Sequence, residues 1–247
     1  MKRSAISFAC FTLAALFISA ARHPIIGSAG SSEIRHFAIA GGSIARAFAI
    51  GEPTPHDPSY SAALRRIAEH GRGTYIEQVL AERDSAVIHW PDRQGVPLTV
   101  WVQPRSGVRD FLPEYVVRVR DAFLEWDAVH LPLGFTFVRD SAAADVHVTW
   151  IDHFDEPISG RTRWAHDDEY SITDANIVLA VHHSQGDQLE EDAMQAMALH
   201  EIGHLIGLDH TNDTLAVMAP RVRVRGLSDA DRATARLLYA LPTGSLR

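Results

Sequence analysis

Two histidines and a glutamate, His200, Glu201 and His204, are spaced so that they can act on one metal ion. On an α-helix, side chains four residues apart project from one face a turn apart, so both imidazoles reach a common point. Glu201 lies one position round, where its carboxylate addresses a water at the metal and is not itself a ligand. Imidazole suits zinc, and a zinc site that does chemistry uses three protein ligands and keeps a fourth position open. Gly207 offers the route to the third: with positive φ it ends the helix and turns the chain back, bringing His210 to the same ion. A glutamate from a later helix would serve as well, but none occurs between Ile202 and Arg247. Asp209, Asp213, Asp229 and Asp231 are the remaining oxygen donors, whereas His210 needs nothing beyond the glycine turn.

These residues need a rigid helix held against a sheet. Glu190, Glu191 and Asp192 suit the positive end of a helix dipole, so a helix is expected from about Ala193 to Ile206, with Leu199, Ile202, Leu205 and Ile206 anchoring it inward. Upstream, Leu98, Val100 and Val102 share one face of a strand. Pro113 opens a helix with Val116, Val119, Phe123 and Trp126 at helical spacing. Further strands are expected at 135–138 and 146–151, and the apolar run 177–181 reads as an interior strand. Ser228, with Asp231 three residues on, starts a last helix in a capping-box arrangement that presents Ala235, Leu238 and Tyr239 to the body.

The string from His200 to His210 resembles the extended zinc motif of the metzincins. Ala216-Val-Met-Ala-Pro220 looks like their Met-turn, which implies Met218 beneath the metal, and the proline two residues after Met218 resembles the matrixin branch. The segments Ala144 to Trp150 and Leu227 to Tyr239 agree with it. The resemblance covers roughly residues 97 to 242. It implies an α+β, zincin-like catalytic domain with a twisted mixed β-sheet, an active-site helix and a C-terminal helix. It also implies a metalloendopeptidase in which a zinc-activated water hydrolyses the peptide bond, with Glu201 as general base. The substrate, a peptide or protein, would lie extended along an edge strand. Relatives hold a second, structural zinc with three histidines and an aspartate. Here His166 and Asp168 match the start of such a set, but Asn176 stands where a histidine is expected, and His182 and His183 fit poorly. One catalytic Zn2+ is therefore the expected complement. A calcium site at Asp187, Glu190 or Asp192 lacks any defined ligand spacing. The alternatives are a zinc-binding secreted module without turnover, and a helix whose histidines only pack.

Residues 1–21 have the layout of a secretory signal peptide: Lys2 and Arg3, an apolar run from Ala5, and small residues at Ser19 to Ala21. Export and a secreted or extracytoplasmic location are expected, with membrane attachment only if this segment is uncleaved. Cys10, the one cysteine, falls inside it, so the mature chain would have no disulfide and no thiolate ligand. The vertebrate matrixins' cysteine-blocked latency is thereby excluded. Residues 22–96 read as a Gly, Ser and Pro-rich linker followed by helical turns broken at Gly71 to Gly73, either an accessory region or a pro-segment, and the catalytic domain spans 97–247. The net charge of −8 becomes more negative when Lys2 and Arg3 are lost, which excludes a nucleic-acid partner. Arg221, Arg223 and Arg225 alternate with valines as the solvated face of an extended segment. A monomer is expected.

Overall fold

The computed structural model describes residues 7–9, 58–93 and 95–246; nearly all of the expected linker and most of the expected signal segment lie outside these residues. The architecture is α+β. Six strands form one mixed sheet in the order β1-β6-β7-β5-β3-β4. These are β1 (Ser7–Ala9), β3 (Leu98–Val102), β4 (Phe135–Phe137), β5 (Val146–Ile151), β6 (Gly160–His166) and β7 (Ile172–Ala180). Strands β4, β3, β5 and β7 run parallel, whereas β6 lies antiparallel to β7 and β1 antiparallel to β6. The two-residue strands β2 (Ala86–Val87) and β8 (Gly244–Ser245) pair separately. The helices are α1 (Pro58–His70), α2 (Ile76–Glu82), α3 (Glu114–Asp127), α4 (Glu191–Leu205) and α5 (Asp229–Ala240).

Burial follows the periodicities that the sequence carries. Leu98, Val100 and Val102 are buried while Thr99 and Trp101 are not, as strand alternation requires. On α3, Val116, Val119, Phe123 and Trp126 face inward. Residues 177–180 of the 177–181 run fall within β7, between β5 and β6, and Val181 follows directly, so the interior position is met. Strand β6 is the element that hydrophobic alternation misses: its inward positions include Gly160 and Thr162, and Arg161 and Arg163 alternate with them.

Helix α4 is buried along most of its length, with Leu199, Ile202 and Leu205 fully enclosed. Trp126 on α3 fixes its middle by donating Nε1–H to Leu199 O at 2.9 Å. Trp90 fixes its end in the same way through Leu205 O at 2.9 Å. Helix α5 starts in the expected capping box: Ser228 Oγ accepts from Asp231 N at 3.1 Å, and Asp231 Oδ2 accepts from Ser228 N at 2.8 Å. Residues ahead of the catalytic sheet join the same core, where Tyr75, Ile76, Val79 and Trp90 are buried with the side chains of α4 and α5. Among the described residues no helix is long and apolar enough to cross a membrane.

Candidate metal centre

Helix α4 carries His200 and His204 on one face, and Gly207 ends it at φ +103, a left-handed conformation that glycine adopts without a Cβ penalty. The chain then reverses, and His210 returns to the helix face. The three Nε2 atoms converge: His200 to His204 is 3.2 Å, His204 to His210 is 3.2 Å, and His210 to His200 is 3.3 Å. Tetrahedral zinc with bonds of about 2.0–2.1 Å places its ligand nitrogens about 3.3–3.4 Å apart, so the trio has the size of a zinc site. Among the described residues this is the one group of three or more His, Cys, Asp or Glu side chains gathered closely enough to share an ion.

The second nitrogens fix the tautomers. His200 Nδ1 donates to Val217 O at 2.8 Å and His204 Nδ1 to Leu208 O at 3.1 Å. His210 Nδ1 faces Asp209 Oδ1 at 3.5 Å. With each Nδ1 turned to an acceptor, three Nε2 lone pairs point at one another, an arrangement that repels itself unless a cation lies between. Burial and the neighbouring imidazole of His210 lower the pKa of His200 to about 4. Burial also lowers those of His204 and His210, so all three rings are neutral at neutral pH.

Glu201 is buried, and desolvation raises its pKa to about 7, opposed by hydrogen bonds from Thr162 and by the charge of Arg161. Strand β6 makes its seat. Thr162 Oγ1 lies 2.7 Å from Glu201 Oε2, and a Cβ at Gly160 would come 2.5 Å from Glu201 Oε1, so only glycine leaves room there. Neither residue carries a motif signal. Their roles depend on an i, i+2 pairing along a strand whose register with α4 the sequence does not state.

Met218 lies under the helix, where a Cβ on Gly203 would run into its sulfur. The Met-turn is tied down by Asp231, whose Oδ2 accepts from Val217 N at 2.9 Å. That is where this alternative oxygen donor is used. Asp209 is turned to Arg83 and to the backbone of His210, and Asp213 accepts from Leu215 N at 2.9 Å. The remaining aspartate, Asp229, is exposed in the first turn of α5.

The other residues considered for a second zinc or a calcium ion do not gather into a comparable group among the described residues. His166 stacks on Tyr170 and meets Asp167 O at 2.7 Å, Asn176 pairs with Asp174, and His183 meets Ser159 Oγ at 3.0 Å. His182 sits between Asp110 and Asp152, at 3.1 and 2.8 Å on opposite sides of its ring. Asp192 pairs with Arg225.

The trio and Glu201 lie at the floor of an open cleft of about 420 Å³, walled by β6 on one side and by Pro220, Arg221 and Val222 on the other. The family model of the matrixins matches residues 112–240, more than half of the chain. The chain belongs to the matrixin family. That membership places it among the zinc-dependent endopeptidases, which act on peptides or proteins, and the His200, His204 and His210 trio fits the zinc that matrixins bind. No curated protein matches the sequence. The matrixin match begins at the approach to α3 and ends with α5, so β3 and everything ahead of it lie outside.

Proposed function

We propose that this matrixin is an exported endopeptidase in which His200, His204 and His210 hold a catalytic zinc ion and Glu201 is the general base. One observation carries the reading: three imidazole acceptor nitrogens converge within 3.3 Å of one another, each ring engaged or faced at its other nitrogen, in the cleft that Glu201 also lines. A zinc ion there supplies Lewis acidity that activates water and polarises the scissile carbonyl. The chain's own residues do the rest. Glu201 accepts a proton from the attacking water at a carboxylate oxygen and gives it to the departing amine nitrogen. Thr162 holds that carboxylate by its other oxygen, and the closed pack of Leu199, Ile202 and Met218 beneath the site excludes water from below.

The substrate lies extended and antiparallel along the outer edge of β6. In support, that edge accepts a strand from the chain itself: Ser7, Phe8 and Ala9 pair with His166, Ala165 and Trp164. Backbone hydrogen bonds to β6 then set the register of the scissile bond, and the segment after the Met-turn shapes the pocket beside it. The positively charged start and apolar run of residues 1–21 support export of the enzyme.

The decisive experiment is Glu201→Gln, with zinc content and cleavage of casein both measured. The variant is expected to keep its zinc and lose cleavage. A Glu201→Gln protein as active as the wild type overturns the assignment of the base, and a wild type that binds zinc but cleaves nothing makes the chain a zinc-binding module without turnover.

A further inference from the structure

We propose that Arg83 is a positioning residue of the metal site, and that the active enzyme therefore keeps the segment from Tyr75 to Pro91. The inference rests on the reading that His200, His204 and His210 hold zinc.

Arg83 follows α2 directly, and the chain then turns through Asp84 and Ser85, both at positive φ, into β2. Its side chain is only 2% exposed, although it is a guanidinium, and the carboxylate it meets on Asp209 is 3% exposed. The planar fork spans two parts of the chain. Nη1 donates to Ile88 O at 3.2 Å within its own segment, while Nη2 donates to Leu208 O at 3.0 Å and Nε to Asp209 Oδ2 at 3.3 Å.

Leu208 and Asp209 are the outer partners of two of the three imidazoles. Leu208 O accepts from His204 Nδ1, and Asp209 Oδ1 accepts from His210 N at 2.8 Å while facing the His210 ring. Arg83 thus holds both groups that orient two ligands. Such outer partners fix ring direction and tautomer, and their loss weakens metal binding by about 10–100-fold. Arginine suits the post because its rigid fork serves several acceptors at once and stays charged when buried.

The rest of the segment is built against the same turn. Backbone of Ile88 and His89 lies so close to Gly207 that a Cβ there would run into the Ile88 carbonyl. Trp90 caps the end of α4, and Tyr75 OH reaches Asp231 Oδ1 at 2.8 Å beneath the Met-turn. Excision of this segment would remove the cation that pairs with Asp209 and the second donor to Leu208 O. A segment that completes the ligand loop is part of the enzyme and is not removed as a pro-segment.

The test compares zinc dissociation constants, by competition with a chelator, for wild type, Arg83→Met, Arg83→Lys and Asp209→Asn, with circular dichroism to confirm folding. Arg83→Met is expected to bind zinc about 10–100-fold more weakly. Arg83→Lys recovers part of this, because one ammonium reaches fewer of the acceptors. A folded Arg83→Met within about twofold of wild type overturns the proposal, whereas a folded wild type that binds no zinc overturns the underlying metal assignment instead. Should Arg83→Met fail to fold, mass spectrometry of the secreted, zinc-loaded active protein decides. Its chain is expected to begin ahead of Tyr75; active enzyme that begins beyond Arg83, with no 75–91 fragment bound, overturns the inference.

Discussion

Thr162 Oγ1 lies 2.7 Å from Glu201 Oε2 and 2.9 Å from the Glu201 carbonyl oxygen, so one hydroxyl joins β6, the strand that walls the cleft, to the carboxylate of α4. A hydrogen bond to a charged group contributes about 1.5–3 kcal/mol, and each 1.4 kcal/mol of barrier is about tenfold in rate. Thr162→Val keeps the shape and removes the donor. It is expected to lower kcat by about 10–100-fold with KM little changed, while zinc content is retained and Thr162→Ser restores most of the rate. A Val variant with unchanged kcat would show that the hydroxyl only packs.

Three convergent imidazole lone pairs make metal removal a test of stability as well as of activity. An ion that binds only the folded chain adds about 4 kcal/mol at a free concentration a thousand times its dissociation constant. Thermal scans with chelator and with added zinc are therefore expected to differ in Tm, with the difference growing with zinc concentration and largely vanishing in His210→Ala. Identical scans for wild type with and without chelator would mean that the trio holds no ion under those conditions.

Helix α4, its glycine stop and the three histidines are legible in the sequence because each signal is local. A helical repeat places His200 and His204, and one glycine explains the return to His210. The capping box at Ser228 is equally local. What is not legible depends on strand register and on contacts far apart in the chain. Gly160 and Thr162 matter because β6 crosses Glu201, and nothing in Gly-Arg-Thr-Arg states that crossing. Arg83 and Asp209 are 126 positions apart, and a buried arginine looks in sequence like any surface one. Asp231 illustrates a choice that the sequence leaves open: it is an available oxygen donor, and folding spends it on Val217, Ser228 and Tyr75.

Tyr75 gives the fold an alkaline limit. Burial first, and the adjacent Asp231 carboxylate second, hold its pKa well above the ordinary value near 10. The folded state thus favours the protonated phenol. The resulting stability is complete below the unfolded pKa of about 10 and is lost as pH rises above it, because only the unfolded chain ionises readily there. Urea unfolding at pH 8 and at pH 10.5 is expected to show a fall that Tyr75→Phe reduces; Tyr239, also raised by burial, accounts for a remaining part. A pH dependence identical in wild type and Tyr75→Phe would show that Tyr75 contributes none of it.

Gly203 and Met218 set two effects of opposite sign against each other. Alanine is the better helix former by about 0.8–1 kcal/mol, so propensity alone would make Gly203→Ala stabilising. Its methyl group, however, would meet the Met218 sulfur in the packed layer beneath the histidines, and overpacking costs about 1–3 kcal/mol. The clash is expected to win, and to loosen zinc by shifting the turn that presents His204. Met218→Ala alone opens a cavity and costs about 2–5 kcal/mol. In the double variant the new methyl fills space that the methionine has left, so the combined loss should be smaller than the sum by 0.5 kcal/mol or more, the range of coupling between touching residues. Strict additivity in urea unfolding would mean that the methionine does not seat this turn.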